Sequence, residues 1–186
     1  MRKARIILQY LRILFILPGV DWKNDKFLKD LARWKEITCL SGANVSVLAQ
    51  LLWSKKEYRN LFIYRNNHRK LYRYWLRLWY SPIDTLYIDT PVIGGGLFIQ
   101  HGFSTMIAAQ SIGENCWINQ QVTIGYTGKG CPVIGDNVMI TCGAKVLGDI
   151  TIGNNVVIGA NAVVVKNVDD NQTMVGIPAH PLNKKV

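Results

Sequence analysis

A large aliphatic residue returns every six positions through much of the second half of the chain. The series includes Ile112, Ile118 and Ile124, then resumes at Ile134 and runs to Val164. A period of six fits neither the 3.6-residue period of a helix nor the alternation of a strand pair. It is typical of a solenoid in which three short strands, each followed by a bend, close one triangular coil. We therefore predict an all-β solenoid with aliphatic side chains stacked inside.

Glycine and asparagine occur where such a coil has to bend. Three of these corners read Gly113-Glu114-Asn115, Gly135-Asp136-Asn137 and Gly153-Asn154-Asn155. Both residue types tolerate a positive φ, which a tight corner requires. Two ordinary β-hairpins would also carry Gly-Asn turns, but six unbroken units between Ile134 and Asp169 favour the solenoid.

The repeat is irregular in three places. One residue is missing between Ile88 and Ile93, and one is surplus between Ile99 and Met106, in the stretch 100–103. A longer loop, residues 126–132, interrupts the third coil. Insertions in a solenoid form loops, and these loops often carry its binding face. The chemistry is therefore expected at these irregularities.

The chain before the repeat has a different pattern. Apolar residues at helical spacing predict helices over residues 2–17, 25–37 and 45–53. We divide the chain into a helical, basic, aromatic-rich region, residues 1–80, and a solenoid domain with a C-terminal tail, residues 81–186. The fold class is thus an all-β solenoid with an α-helical N-terminal region.

The positive charge belongs to the N-terminal region alone. Up to Tyr80 there are 17 Lys and Arg against five Asp and Glu, and from Ser81 onward five against seven. This asymmetry favours an anionic partner, although a solvated helical face has the same composition. The apolar run near the start imitates a signal peptide, but Gln9 and Arg12 interrupt it. The four cysteines show no Cys-x-x-Cys spacing, which favours reduced thiols and a cytoplasmic protein.

The segment 56–80 interleaves Arg and Lys with Tyr and Trp and contains no glycine or proline. Three interpretations are open. The segment contacts an anionic membrane, as a peripheral protein on its inner face. It binds nucleic acid, which we disfavour because no recognition motif accompanies the charge. Or its apolar residues pack against the open end of the solenoid and leave the arginines in water; these residues are Leu61, Leu71, Tyr74, Trp75 and Leu78.

His101 is the one histidine inside the repeat, and it lies at an irregularity. The other two, His68 and His180, lie in the basic segment and in the tail. A bulge turns a side chain away from the packed interior. A neutral imidazole at such a place is able to take a proton from a hydroxyl group near pH 7. We therefore predict that His101 is a general base.

The motifs IGGGLFIQHG, INQQVTIGYTGKGCPVIGDN and VGIPAHPL resemble the hexapeptide-repeat acyltransferases, over residues 86–182. The resemblance is closest to their serine acetyltransferase branch and to the related capsular and exopolysaccharide O-acetyltransferases. It implies a left-handed parallel β-helix, a homotrimer with active sites between neighbouring copies, and acetyl-CoA as co-substrate. It implies no metal. A carbonic anhydrase on a similar helix would need three histidine ligands, and the repeat has one.

The resemblance also implies which residues form the site. His101 matches the histidine base. The cofactor would contact small residues of a groove, residues of the loop, and two lysines chosen mainly for their charge; they are Gly143, Ala144, Gly159 and Ala160, then Gly125, Thr127, Gly128 and Lys129, then Lys145 and Lys166.

This sequence departs from the serine acetyltransferase pattern in two ways. The aspartate that orients the histidine is replaced by Leu86 or Tyr87. Either Asp89, or less favourably Asp84, would take its role, or no carboxylate is used. A second histidine, which would contact an amino acid acceptor, is replaced by Cys131. We therefore predict an O-acetyltransferase that acts on a saccharide in surface polysaccharide biosynthesis. The alternatives are a serine O-acetyltransferase of cysteine biosynthesis and a non-catalytic trimeric scaffold with a membrane-contacting basic segment.

Overall fold

The computed structural model describes the backbone of residues 2–182 and the side chains of residues 8–182. The chain divides into two units, Met1–Ile83 and Asp84–Val186. The regions predicted from the sequence, 1–80 and 81–186, include Met1 and residues 183–186, which lie outside the described residues. No described helix is long and apolar enough to cross a membrane.

Helices form where the apolar spacing predicts them. In chain order the described ones are α1 (Arg2–Leu14), α2 (Asp25–Ile37), α3 (Asn44–Ser54), α4 (Lys56–Arg65) and α5 (Lys70–Trp79), with a 3-10 turn at Leu17–Gly19. Asn24 caps α2, because its side-chain oxygen accepts a hydrogen bond from the N–H of Phe27 at 3.0 Å. The segment 56–80 is broken near Asn66, whose side chain donates to the carbonyl of Phe62 at 2.9 Å.

The core of the helical unit combines aromatic packing with one buried ion pair. Trp34 and Tyr58 meet edge to face with ring centroids 5.2 Å apart. The Arg65 guanidinium donates to both carboxylate oxygens of Asp30, at 2.7 and 3.1 Å. Burial, with a further contribution from Asp30, raises the pKa of Tyr58 well above its ordinary value. The ion pair between Asp30 and Arg65 therefore connects α2 to α4 inside the core.

One of the three open interpretations, burial of the apolar residues of segment 56–80, does not hold for most of them. Leu61 is buried, but Leu71 is 88% exposed, Leu78 71%, Tyr74 63% and Trp75 41%. The reason is that α5 is apolar on two sides. Leu76 lies on the buried side, and Leu71, Tyr74, Trp75 and Leu78 lie on the other side.

Three parallel sheets form the sides of the solenoid. The first contains β1 (Leu86–Ile88), β4 (Thr105–Ile107), β7 (Thr123–Gly125), β10 (Lys145–Leu147) and β13 (Val163–Val164). The second contains β2 (Val92–Ile93), β5 (Ser111–Ile112), β8 (Val133–Ile134) and β11 (Thr151–Ile152). The third contains β3 (Phe98–Ile99), β6 (Trp117–Ile118), β9 (Met139–Ile140), β12 (Val157–Ile158), β14 (Thr173–Val175) and an antiparallel β15 (His180–Pro181).

The predicted aliphatic stacks form the interior. Ile107, Ile124, Val146 and Val164 pair from strand to strand and are at most 2% exposed. Regular coils are 18 residues long, as the pairing of Lys145 with Val163 shows. Burying such side chains contributes about 1.5–3 kcal/mol each, so the stacks hold the coils in register.

One position of the repeat was assigned wrongly. The inward residue after Ile99 is Ile107, which is fully buried, and Met106 points outward and is 41% exposed. The connection from β3 to β4 is therefore two residues longer than a regular one. Because successive strand residues point to opposite sides, a shift of one residue exchanges inside and outside.

The corners confirm the prediction of positive φ at asparagine. Asn115, Asn137 and Asn155 have φ of 57°, 56° and 56°. The side chain of Asn137 donates to that of Asn155 at 3.2 Å, and Asn155 donates to Asn171 at 3.1 Å. These residues form a ladder along one edge of the solenoid. They supply both the left-handed conformation and hydrogen bonds between coils.

Candidate functional site

His101 lies in the long connection from the third sheet to the first. Its backbone has a φ of 63°, and its side chain is exposed. Gly102 follows with a φ of 40° and is buried, so the backbone turns sharply beneath the imidazole. The carbonyl of His101 accepts a hydrogen bond from the N–H of Phe103 at 2.6 Å. As predicted, the side chain points away from the packed interior.

The connections from the third sheet to the first form one edge of the solenoid, which we call the histidine edge. It consists of residues 100–104, 119–122, 141–144 and 159–162. Neighbouring coils are about 4.8 Å apart, so Gly143 lies about 10 Å and Ala160 about 14 Å along this edge from His101. The structure thus brings His101 onto the same edge as most of the predicted groove residues.

The small residues of the histidine edge have different surroundings, so the reason for their small size differs. Ala160 is exposed and able to line a groove, but Ala144 is fully buried and points into the interior. Gly143 has a φ of 73°, and a Cβ there would lie 2.0 Å from the side-chain oxygen of Asn161. A Cβ on Gly159 would lie 3.0 Å from Val175. Packing therefore explains Gly143 and Ala144 without a ligand.

Lys145 begins β10 beside the histidine edge. Its ammonium donates to the carbonyl of Gln121 at 2.6 Å. An ammonium has three donors, so two remain for an anion. Lys145 thus has a fixed position next to the histidine edge.

The opposite side of the first sheet ends in a second edge, which we call the loop edge. It consists of residues 89–91, 108–110, 126–132, 148–150 and 165–167, the connections from the first sheet to the second. Asp89, Gly125 and Lys166 lie on or beside it. In its loop, Thr127 and Gly130 exchange two backbone hydrogen bonds, at 3.0 and 3.2 Å. This tight turn holds Thr127, Gly128 and Lys129 exposed at its tip.

Asp89 and His101 do not meet within one chain. Asp89 follows β1 on the loop edge, and His101 precedes β4 on the histidine edge. A three-residue strand, about 10 Å long, separates the two edges. Asp84 is nearer in register, because the next residue, Thr85, accepts a hydrogen bond from the N–H of Thr105.

Two residues near His101 were missed from the sequence. Trp117 packs edge to face on Phe98 at 4.6 Å and donates to the side-chain oxygens of Asn119 and Gln100, at 2.7 and 3.3 Å. It therefore fixes the residue that precedes His101. The side-chain oxygen of Gln120 is buried without a hydrogen-bond partner among the described residues. No feature of the hexapeptide pattern indicated either role, since both residues occupy positions that the pattern leaves variable.

A metal site is not formed by the described residues: no three His, Cys, Asp or Glu side chains among them lie close enough to hold an ion.

Comparison with known proteins identifies the family. Residues 131–166 match the family model for bacterial transferase hexapeptide, six repeats. The serine acetyltransferase of Neisseria gonorrhoeae, solved in complex with serine, is 30% identical, with a TM-score of 0.65; the match covers 84% of this chain and 67% of that one. The chain belongs to the bacterial hexapeptide transferases.

Sequence comparison within the hexapeptide transferase family again finds serine acetyltransferases. The chain is 54% identical over 93 residues to the serine acetyltransferase of Staphylococcus xylosus, which covers 47% of this chain and 43% of that protein. It therefore spans less than half the length of the curated relatives that it matches. The soybean serine acetyltransferase complexed with serine is 28% identical, with a TM-score of 0.60. These structures confirm the left-handed parallel β-helix.

The predicted saccharide O-acetyltransferase of surface polysaccharide biosynthesis is wrong. The relatives at 50–54% identity and the structural neighbours are serine acetyltransferases. The prediction depended on one missing histidine, at Cys131, and on the basic N-terminal region.

Proposed function

We propose that the protein is a serine O-acetyltransferase that uses acetyl-CoA. The observation that carries this proposal is an exposed histidine on a β-helix edge in a chain that is 30% identical to a serine acetyltransferase solved with serine. The acceptor is thus the alternative that we kept from the sequence. The free thiols of all four cysteines agree with the cytoplasmic location that we propose for it.

His101 acts as the general base in this mechanism. Its neutral imidazole takes the proton of the serine hydroxyl while the oxygen attacks the thioester carbonyl. A backbone N–H donates to the oxyanion that develops. The carbon–sulfur bond then breaks, and the leaving thiolate takes the proton from the imidazolium. The products are O-acetylserine and the free thiol of CoA.

The two edges of the first sheet support a homotrimer with shared sites. His101 and the exposed Ala160 lie on one edge, and the loop with Lys129 lies on the other. A threefold arrangement would bring the histidine edge of one copy against the loop edge of the next. In that arrangement Asp89, which does not reach His101 of its own chain, approaches His101 of the neighbouring copy.

The cofactor would extend along the groove between these edges. The exposed Ala160 leaves room for the pantetheine arm beside the backbone, and the turn 127–130 would cover it. Lys145 and Lys166 would contact phosphate groups, which attract an ammonium as a point charge. Lys129, exposed at the tip of the loop, is a third cation on the same route.

The test is thiol release from acetyl-CoA with L-serine, compared with L-threonine and with an oligosaccharide. We expect turnover with serine that falls at least ~100-fold in His101→Ala, the size of losing a general base. His68→Ala is the matched control, since His68 is exposed in the helical unit. Failure of serine to release thiol would contradict the proposed acceptor, and an unchanged rate in His101→Ala would contradict the proposed base.

A further inference from the structure

One side of α5 carries four large apolar side chains that the described part of the chain leaves exposed. Leu71, Tyr74, Trp75 and Leu78 are between 41% and 88% exposed. Their spacing of three, four and seven residues places them in one stripe along the helix. Leu76, on another side of α5, is fully buried. The helix is therefore already anchored in the unit by one apolar side, and the second side faces solvent.

The exposed stripe continues onto α1. Leu11 and Phe15 are 50% and 51% exposed. The ring of Phe15 stacks on Trp79 with centroids 4.2 Å apart, and the indole N–H of Trp75 donates to the Phe15 carbonyl at 2.7 Å. These contacts join the two helices into one surface. We call it the docking face: Leu71, Tyr74, Trp75 and Leu78 with Leu11 and Phe15.

The charge around the docking face has one sign. Residues 58–83 contain six Arg and Lys and no Asp or Glu. At 100° per residue, Lys70 and Arg77 lie side by side along one border of the α5 stripe. An open depression at the start of the helix is lined by His68, Arg69 and Lys70, among other residues. The cations thus border the apolar stripe instead of interrupting it.

We propose that the docking face binds the surface of a membrane that contains anionic phospholipids. Apolar residues of an amphipathic helix enter the boundary between headgroups and acyl chains, with Trp and Tyr at headgroup level. Lys70 and Arg77 would then lie at the depth of the lipid phosphates. A second copy is a poorer occupant, because it would bring two sets of like charges together with no anions between them. This proposal is independent of the acetyl transfer.

The test is sedimentation of the full chain with vesicles of phosphatidylcholine alone and of phosphatidylcholine mixed with phosphatidylglycerol. We expect binding to the mixed vesicles only. The double variant Lys70→Gln/Arg77→Gln should bind about 25-fold more weakly, from about fivefold for each cation near an anionic surface. Leu71→Asp/Leu78→Asp should lose at least ~10-fold through lost apolar contact and added negative charge. The matched control is Ile177→Asp, an exposed apolar residue of the solenoid unit, which should bind as the parent does.

Three results would overturn the proposal. The parent protein fails to bind mixed vesicles. Leu71→Asp/Leu78→Asp binds them as tightly as the parent, which would mean that charge alone causes binding. In the third, the parent binds neither kind of vesicle, and light scattering shows that the assembly of Leu71→Asp/Leu78→Asp has half the mass of the parent assembly. This result would identify a second copy as the occupant. Helical circular dichroism equal to that of the parent verifies that the variants are folded.

Discussion

Two inactive variants should restore activity when they assemble together. The first is His101→Ala. The second lacks residues Thr127–Gly130, the tip of the loop. The coil with this loop is 22 residues long by the pairing of Ser111 with Val133, so the deletion returns it to the regular 18. We expect the shortened protein to fold, because β7 and β8 can be joined by the three-residue connection used at 148–150. It should lose acetyl transfer because the turn over the cofactor is gone.

The expected recovery follows from the separation of the two edges. If each site takes its histidine edge from one copy and its loop edge from the next, a site is intact only where a loop-deleted copy precedes a His101→Ala copy. Random assembly of equal amounts gives this order at about one quarter of the interfaces. Recovered turnover should therefore be about a quarter of the parent value. If both edges served one site within a single chain, recovery would be zero.

The assay is thiol release from acetyl-CoA by co-expressed, differently tagged variants that are purified together, so that every assembly is kept and the two tags verify equal amounts. Carrying both changes on one chain and co-expressing it with the parent provides the control. Shared sites then retain about a quarter of the parent turnover, and sites within one chain retain about half. Recovery no greater than the sum of the two inactive variants would refute the shared site and, with it, the proposed pairing of the edges.

Two further predictions concern stability. Arg65→Met should destabilise the helical unit by about 3–5 kcal/mol, because it removes the guanidinium that pairs with the buried Asp30 carboxylate. Adding Asp30→Leu should recover most of this loss, and urea unfolding followed by helical circular dichroism measures both variants. An equal loss in the double variant would contradict the explanation. Asn155→Ala should destabilise the solenoid by about 2–3 kcal/mol, from about 1–2 for a non-glycine residue with positive φ and about 1 for the hydrogen bonds in the ladder; Asn155→Gly should lose less, and thermal unfolding distinguishes the two.

The interior of the solenoid was predictable almost residue by residue. Three six-residue units make one coil, so each recurring aliphatic side chain packs on the corresponding side chain of the coil below. The period in the sequence therefore predicts the stacking directly. The error at Met106 shows the limit of this argument. The count of residues in a corner does not reveal how many of them have positive φ, and His101, Gly102 and Ser104 all do. The corner contains two inserted residues where we predicted one, so the strand lies one position further along the chain and its two sides are exchanged.

The exposure of α5 was not predictable in the same way. Leu76 and Leu78 are equally apolar, yet one is 1% and the other 71% exposed. Periodicity alone shows that a helix has apolar sides. Which side is covered depends on tertiary contacts, such as the stacking of Phe15 on Trp79.

The acceptor was predicted wrongly because we used a single function to explain the features of both units. The basic helices and the replacement of a histidine by Cys131 seemed to agree on a saccharide, since lipid-linked sugars would join a membrane surface to an acetyl transfer. The serine acetyltransferase relatives contradict this combined explanation. Cys131 lies on the loop edge, where it would meet the neighbouring copy, while the exposed face of α5 needs no acceptor to account for its composition. A charge pattern in one unit therefore constrains the partner of that unit, and the acceptor has to be inferred from the residues around His101.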